Sequence, residues 1–286
     1  MVQEVAVLSL KGRVVAITRP IGQTDEMASL VSKFGGTPYV APTVEIKPTK
    51  DLTPVREFIK RTVAGKIDLI IFTSQNGIVG LVEASQKLEL KAELLTALNS
   101  STIVAIGPRT KEKLQSYGIK VDLTPSNFTS KGIAESLNMQ VSGKIVALPR
   151  MKEAKDYLRD ELKKANATVL EVPVYESVLP TDKSKVQMLI HDILRRKINV
   201  ITFTSSGTAL NLFRIADEQH LRRRLGDCLN AGVTVVAIGP ETQKTLEEIG
   251  VKVDVVPRQY TTEAMVEALV RHLNTDPNDS KLRSNL

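Results

Sequence analysis

The sequence contains one cysteine, Cys228, and no tryptophan. A single cysteine excludes an internal disulfide, and no Cys or His spacing typical of a zinc site is present. No segment approaches the roughly 18 consecutive apolar residues that cross a bilayer. The first twenty residues lack the basic start, long apolar centre and small-residue cleavage site of a signal peptide. These absences predict a cytoplasmic protein that binds neither a metal nor a membrane.

Aromatic residues are also few, with six Phe and five Tyr in 286 residues, whereas the net charge of +7 favours anionic partners. The basic residues are spread along predicted helix faces, and the cluster LRRRL at 221–225 is typical of an exposed helix end. With so few rings for base stacking and no nucleic-acid module, we expect no nucleic-acid partner. The absence of a Walker A loop and of G-x-G-x-x-G disfavours the nucleotide that a Rossmann enzyme would bind.

Groups for acid–base catalysis are scarce. The three histidines, at 191, 220 and 272, fall in helical patterns beside charged residues, which predicts a solvated surface position for each. No Ser-His-Asp order or nucleophile elbow is visible. We therefore expect a site in this chain to be poor in strong acids and bases.

The sequence does contain an internal repeat. VAIGP occurs at 104–108 and again at 236–240, a shift of 132. Further matches, with shifts of 131 or 132, join RVVAITR (13–19) to KIVALPR (144–150), APTVE (41–45) to VPVYE (172–176), IIFTSQNG (70–77) to ITFTSSG (201–207), and FTSKGIAESL (128–137) to YTTEAMVEAL (260–269). One period of about 131 residues therefore covers nearly the whole chain.

Within each period, short apolar runs alternate with turns and amphipathic helices, which is typical of parallel α/β architecture. In the segment after Pro20, apolar residues at helical spacing predict a helix that stops at Gly35 and Gly36; the stripe is Met27, Leu30, Val31 and Phe34. Strands are predicted at 68–73, 102–107, 199–204 and 234–239. We therefore expect an α/β fold of two related lobes, each a parallel sheet flanked by helices, joined by a two-stranded connector.

The chain length fits two lobes, and the sequence leaves two ways to divide them. Two Pro-bearing segments, 39–46 and 169–179, have the pattern of extended connectors. If both cross between lobes, residues 1–38 and 180–273 form one discontinuous lobe and residues 47–168 form an inserted middle lobe. Residues 274–286 are then predicted to be a disordered polar tail. The alternative is two lobes in simple succession, split near residue 142.

Ligands of open parallel sheets bind beyond the carboxyl ends of the strands, where loops present N–H groups at helix starts. The residues at those predicted ends that we expect to contact a ligand are Arg19, Thr73, Ser74, Asn76, Gly107, Arg150, Thr204, Ser205, Ser206, Gly207, Gly239 and Thr261. Each hydroxyl is also a candidate helix cap, each Gly-Pro a candidate turn, and each arginine a candidate partner for a nearby carboxylate. Gathered on facing rims of two lobes, such groups would hold an anion with several carboxylates.

Tyr175 lies in the second connector, where the first repeat has Val44. Two interpretations of this tyrosine are open. It either borders the cleft between the lobes or packs at their junction.

The order and spacing of these motifs resemble the uroporphyrinogen-III synthase family over residues 13–273. The segments that carry the resemblance are the VAITRP opening, the FTSQNG turn, the paired IGP turns, the VPVYE connector, and FTSSG followed by IGPET. The resemblance implies the discontinuous division, with a two-stranded ladder joining lobes that face each other across an open cleft. We also expect a monomer.

The substrate implied by the resemblance is hydroxymethylbilane, a linear tetrapyrrole with eight carboxylates. The implied reaction is loss of water and ring closure with inversion of the fourth pyrrole, giving uroporphyrinogen III without any cofactor. Transient contact with the deaminase of the preceding step is implied as well. By position, Tyr175 and Thr242 would be catalytic, while Glu241 beside Thr242 has no explanation. The alternative function is a two-lobed sensor or binding protein for a carboxylate-rich metabolite.

Overall fold

The computed structural model describes residues 8–154 and 156–275. The chain forms two units. The terminal unit comprises the two end portions of the chain, up to Glu45 and from Val178, and the middle unit is the continuous segment Ile46–Ser177. Within the described residues, no helix is long and apolar enough to span a membrane.

The strands are short. In chain order, those of the described residues are β1 (Val14–Ile17), β2 (Thr37–Val40), β3 (Glu45–Pro48), β4 (Leu69–Phe72), β5 (Thr102–Ala105), β6 (Ile145–Met151), β7 (Thr168–Val178), β8 (Val200–Phe203) and β9 (Thr234–Ala237). The four strands predicted from apolar runs are confirmed as β4, β5, β8 and β9. Every residue of β4 and β8 is buried, which explains why these runs are apolar almost throughout rather than alternating.

Helices alternate with the strands. They are α1 (Thr24–Lys33), α2 (Thr53–Val63), α3 (Gln75–Lys87), α4 (Lys91–Asn99), α5 (Pro108–Gln115), α6 (Ser130–Leu137), α7 (Tyr157–Lys164), α8 (Ser184–Leu194), α9 (Ser206–Glu218), α10 (Arg222–Gly232), α11 (Pro240–Glu248) and α12 (Thr262–Thr275). Helix α1 buries Met27 and Val31, as its sequence stripe predicts. The chain turns away from it at Gly35, whose φ of +71° favours glycine.

Both sheets have the same strand order once the repeat is taken into account. The terminal unit has the order β2-β1-β8-β9 and the middle unit β3-β7-β6-β4-β5, in which β7, β6, β4 and β5 are the repeat equivalents of β2, β1, β8 and β9. The registers agree too, because Val14 pairs with Thr37 and, 131 residues later, Ile145 pairs with Thr168. Each unit therefore joins the first part of one repeat to the second part of the other.

Helices cover both faces of each sheet. In the terminal unit, Ala16 packs in a cluster with residues of α8 to α11, whereas its neighbours Val15 and Ile17 pack with α1 and α12. In the middle unit, Ile70 packs with α2 to α5 and Ile71 with α6 and α7. Alternate side chains of one strand thus supply two separate cores.

The segment predicted as a first connector, 39–46, is divided between the two sheets. Residues up to Val40 belong to β2 of the terminal unit, and β3 of the middle-unit sheet begins at Glu45. The second predicted connector, 169–179, forms most of β7, which pairs with β6 and neighbours β3. The chain passes between the units at residues 45–46 and 177–178.

The predicted tail begins too early. Asn274 and Thr275 belong to α12, and Asn274 Nδ2 donates a hydrogen bond to Ser9 O at 2.9 Å, so the prediction of disorder is wrong for these two residues. The rest of the predicted tail, 276–286, lies outside the described residues, as do residues 1–7 of the segment examined for a signal peptide.

Aspartate side chains support both sheets at equivalent positions. Asp122 Oδ2 accepts the backbone N–H of Ile103 at 2.9 Å, and Asp254 Oδ2 accepts that of Val235 at 2.9 Å. The hydrogen bond from Ile103 holds the pKa of Asp122 below its usual value, and Lys120 adds to the effect. Each bond ties the segment that follows α5 or α11 back to the neighbouring strand.

We predict that Asp122→Ala lowers the free energy of unfolding by about 1–3 kcal/mol, because the N–H of Ile103 loses its acceptor. Asp122→Asn keeps an acceptor oxygen and should lose less. Since the folded pKa of Asp122 lies below the unfolded value, its contribution is present above about pH 4 and disappears as the pH falls through the folded pKa. Urea unfolding at several pH values measures this. Equal stability of both variants at pH 7 would contradict the assignment.

Candidate functional site

In both units, the carboxyl ends of neighbouring strands lead into helix starts, and we call this side of each sheet its carboxyl edge. In the middle unit β4 precedes α3 and β5 precedes α5, and in the terminal unit β8 precedes α9 and β9 precedes α11. Hydrogen bonds join these starts directly. Gln75 Nε2 donates to Arg109 O at 3.0 Å, and Ser206 Oγ donates to Glu241 O at 3.3 Å.

Several of the predicted ligand hydroxyls serve as helix caps. Ser74 accepts the N–H of Gly77 at 3.1 Å, and Ser205 accepts that of Thr208 at 3.3 Å. Thr261 accepts an N–H of α12 in the same way, at 3.2 Å. The capping interpretation is therefore correct for these three. An accepted N–H leaves the hydroxyl proton free to be donated, so capping does not exclude a ligand.

Tyr175 lies on β7 with 9% of its surface exposed, and its ring belongs to the middle-unit core. Its hydroxyl is 3.2 Å from Ser74 Oγ. Burial raises the pKa of Tyr175, and hydrogen bonds with Ser74 and Asn76 offset part of that rise. The phenol is therefore protonated at neutral pH. It packs as a core residue, while its polar end reaches the carboxyl edge at the cap of α3.

The starts of α5 and α11 differ from those of α3 and α9. Gly107 and Gly239 precede them with extended backbones, at φ −170° and −173°, and supply no capping side chain. Pro108 and Pro240 occupy the first helical position, where their fixed φ suits the helix. Helix starts of this kind present N–H groups and a partial positive charge to an anion.

Thr110 and Thr242 occupy the first turns of these two helices. Only 4% and 3% of their surfaces are exposed, yet neither hydroxyl makes a hydrogen bond to any group among the described residues. Thr73 and Thr204, which follow β4 and β8, also make none within the described ranges. These four hydroxyls lie at repeat-equivalent positions of the two carboxyl edges, and each can donate and accept a ligand hydrogen bond.

The two arginines have different partners. Arg150 is the penultimate residue of β6, which ends at Met151, so it lies close to the predicted strand end. Its guanidinium is buried and forms an ion pair with Glu171. Arg19 follows β1 and donates to Thr262 Oγ1 at 2.9 Å and to Gln23 Oε1 at 3.3 Å. Of the two interpretations of Arg150, the structure shows carboxylate pairing.

The remaining residues singled out in the sequence are Gly207, Glu241 and the three histidines. Gly207 lies in the first turn of α9, and Glu241 is exposed in the first turn of α11. His191 and His220 are exposed, as predicted, whereas His272 is half-buried on α12. Across residues 8–154 and 156–275, no group of three or more His, Cys, Asp or Glu side chains is arranged to hold a metal ion.

Thr110 is not among the site residues predicted from the sequence. This residue is the middle-unit equivalent of Thr242, and it occupies the same position in its helix. The shift of 132 that relates the two IGP turns points directly to it. The link from Gln75 to Arg109 was missed as well, because a hydrogen bond to a backbone carbonyl leaves no trace in residue type.

Comparison with known proteins gives consistent matches. A family model described as uroporphyrinogen-III synthase HemD matches residues 25–267. A Methanothermobacter thermautotrophicus protein, assigned to uroporphyrinogen-III synthase, is 36% identical over 91% of this chain and 99% of its own length. Uroporphyrinogen-III synthase of Synechococcus elongatus is 27% identical over 91% of this chain and 95% of its own.

The fold also matches a solved structure. A crystal structure of a mutant uroporphyrinogen III synthase from the extremely thermophilic bacterium Thermus thermophilus has a TM-score of 0.63 and 23% sequence identity. The match covers 92% of this chain and 99% of that one. At this identity the likeness shows that the two chains share a fold of parallel sheets flanked by helices.

We predict that burial raises the pKa of Tyr175 above the usual value for tyrosine, and that Ser74→Ala raises it further because the hydrogen bond from Ser74 favours the phenolate. The measurement is the pH titration of the tyrosine ζ-carbon signals by NMR, with Tyr175→Phe to assign the signal. Tyr260, which is exposed, is the internal control. A Tyr175 pKa that is unchanged or lower in Ser74→Ala would contradict this account of the pair.

Proposed function

The chain belongs to the uroporphyrinogen-III synthase family, and from this premise we propose that it is a cyclising hydro-lyase that converts hydroxymethylbilane into uroporphyrinogen III. Family membership favours this function over the alternative, a two-lobed sensor or binding protein for a carboxylate-rich metabolite. The observation that carries the proposal is the duplicated carboxyl edge, where a helix start without a side-chain cap is followed by a threonine hydroxyl that has no partner among the described residues. Such helix starts suit carboxylates, and the substrate has eight.

The proposed reaction begins when the terminal hydroxyl takes up a proton and leaves as water, which breaks a C–O bond and gives an azafulvene cation. The substituted carbon of the fourth pyrrole then bonds to this cation and forms a spiro intermediate. Cleavage of the bond between that carbon and the bridge to the third pyrrole returns the electron pair to the fourth ring and leaves a second azafulvene cation on the third pyrrole. The unsubstituted α-carbon of the fourth ring then bonds to this cation, which closes the macrocycle with the fourth ring inverted, and loss of a proton from that carbon restores the aromaticity of the ring.

Because the same substrate also closes without inversion in the absence of an enzyme, the protein has to hold one conformation and stabilise the developing charge. This task suits a chain with few acids and bases at its carboxyl edges. In our proposal, Tyr175 donates its proton to the departing hydroxyl, with Ser74 returning a hydrogen bond to the phenol. The raised pKa of Tyr175 keeps that proton in place until it is needed.

Carboxylate binding is assigned to the helix starts and hydroxyls of each edge. In the middle unit the groups are Thr73, Ser74, Asn76, Gly107 and Thr110, and in the terminal unit they are Thr204, Ser205, Ser206, Gly207, Gly239, Thr242 and Thr261. Arg19 lies in the same unit as the second set and holds the start of α12 through Thr262. Thr242 is buried, and its hydroxyl has no hydrogen-bond partner among the described residues. We therefore assign to Thr242 the main role in orienting the substrate.

We predict that Tyr175→Phe lowers the rate of uroporphyrinogen III formation several-fold and that Thr242→Ala lowers it further, because each removes a hydroxyl that acts on the substrate. Thr242→Ser keeps the hydroxyl and should retain most of the activity. The assay supplies freshly made hydroxymethylbilane, oxidises the products and resolves isomers I and III. Losses are expected to be partial, since no single group carries the reaction.

Unchanged rates in both Tyr175→Phe and Thr242→Ala would remove these two assignments. A wild-type protein that yields only isomer I, at the rate of the reaction without protein, would remove the proposed function itself.

We also predict that KM for hydroxymethylbilane rises with ionic strength while kcat changes little. The chain carries a net charge of +7, which attracts a polyanionic substrate over distances that salt screens. Initial rates from about 0.02 to 0.5 M NaCl test this, since the screening length falls from roughly 20 Å to about 4 Å over that range. A KM that is independent of salt would show that long-range attraction contributes nothing to capture.

A further inference from the structure

Two aromatic side chains, Phe128 and Tyr260, lie at equivalent places on the two carboxyl edges. Each packs against the glycine that precedes a helix without a side-chain cap. A Cβ atom built on Gly107 would lie 3.3 Å from Cβ and Cγ of Phe128, and one on Gly239 would lie 3.2 Å from Cδ1 of Tyr260. Each ring therefore covers the backbone directly beside the start of α5 or α11.

Both rings are also unusually open to solvent, with 53% of Phe128 and 55% of Tyr260 exposed. Single exposed apolar residues are common and need no explanation. This pair is different. Among the large apolar side chains that the described residues leave exposed, Phe128 and Tyr260 are the pair related by the repeat shift of 132.

The position of each ring is fixed by the residue that follows it. Thr129 accepts the N–H of Gly132 at 3.0 Å, and Thr261 accepts an N–H of α12 at 3.2 Å, so both caps anchor the backbone beside the ring. On its inner side the ring meets glycine, which has no side chain to push it away. An exposed aromatic face held in this way is preorganised for contact with another flat ring.

We propose that Phe128 and Tyr260 each stack on a pyrrole ring of the substrate, an inference that rests on the proposed function. Every pyrrole of hydroxymethylbilane carries two carboxylate arms on its ring. A carboxylate bound at the start of α5 or α11 therefore places its own pyrrole within a few bonds of that helix start, which is where the aromatic ring lies. Offset stacking then fixes the plane of the pyrrole, which a carboxylate contact alone leaves free to rotate.

Stacking also serves the charged stage of the reaction. The azafulvene cation is planar and positive, and an aromatic face within about 6 Å of a cation stabilises it. Phe128 and Tyr260 supply that stabilisation without a carboxylate side chain. Such a side chain would compete with the carboxylates of the substrate for the helix starts. In this proposal they determine the specificity of the same reaction, because they fix the orientation of pyrrole rings rather than bind carboxylates.

The test compares Phe128→Leu and Tyr260→Leu with the aromatic exchanges Phe128→Tyr and Tyr260→Phe. Val63→Ala is the matched control, because Val63 is 57% exposed and ends α2, which leads into the opposite end of β4. The readouts are KM for hydroxymethylbilane, the ratio of isomers III and I, and the Kd of uroporphyrinogen III kept reduced under anaerobic ultrafiltration. We expect each leucine variant to raise KM and Kd about fivefold and to shift product toward isomer I, with the aromatic exchanges within about twofold of wild type.

A further variant guards against trivial loss of folding. Gly239→Ala keeps an extended backbone that alanine adopts freely, and its Cβ would lie 3.2 Å from Tyr260 Cδ1, so the ring has to shift by a few tenths of an ångström. We expect this variant to keep its circular dichroism spectrum and to weaken product binding measurably but less than Tyr260→Leu does. Leucine variants and Gly239→Ala that bind and turn over like wild type would overturn the inference while leaving the function intact. A wild-type protein that forms no isomer III would overturn the function instead.

Discussion

The central strands of both units are short and buried on both faces, and this constraint decides where polar chemistry can occur. A strand such as β4 or β8 has no solvated face, so polar groups cannot be placed along it without a partner inside the protein. They collect instead where the strand ends and a helix begins. Backbone N–H groups are left unpaired at the same points by the geometry of the helix itself. The site is thus a direct consequence of how the sheets are covered.

The charge distribution follows a related logic. Arg150, the most deeply buried cation of the candidate set, is paired with Glu171, so its charge is balanced inside the middle unit. An unpaired arginine would bind a substrate with many carboxylates more strongly. However, the proposed reaction passes through a cation, and a fixed positive charge nearby would raise its energy. In the proposed site, amides, hydroxyls and aromatic faces would bind the substrate and still tolerate the cation.

Much of the fold could be predicted from the sequence because the signals were local and repeated. Apolar runs indicated β4, β5, β8 and β9, and the stripe of Met27 and Val31 followed by Gly35 indicated α1 and its end. Prediction was weaker where tertiary pairing decides the outcome. Residues 39–46 have one uniform extended pattern, but their two ends pair in different sheets.

The candidate site was predicted in outline rather than in detail. Residue types at strand ends indicated hydroxyls and glycines, but they could not separate Ser74, which caps a helix, from Thr242, which does not. That difference depends on where each helix begins, because Ser74 precedes α3 as its N-cap residue whereas Thr242 is the third residue of α11, two residues after Pro240. The sequence left open whether Arg150 pairs with a carboxylate, because its partner Glu171 lies on a different strand, β7.

The interleaving of the two repeats also sets an order in which the protein can be completed on the ribosome. The middle unit is one continuous stretch of chain, so it can fold as soon as its last strand has emerged. By contrast, β1 and β2 are synthesised first yet must wait for β8, which follows the whole middle unit, before their sheet can form. The earliest part of the chain is therefore the last to reach its native partners, and during synthesis its apolar strands need protection from aggregation.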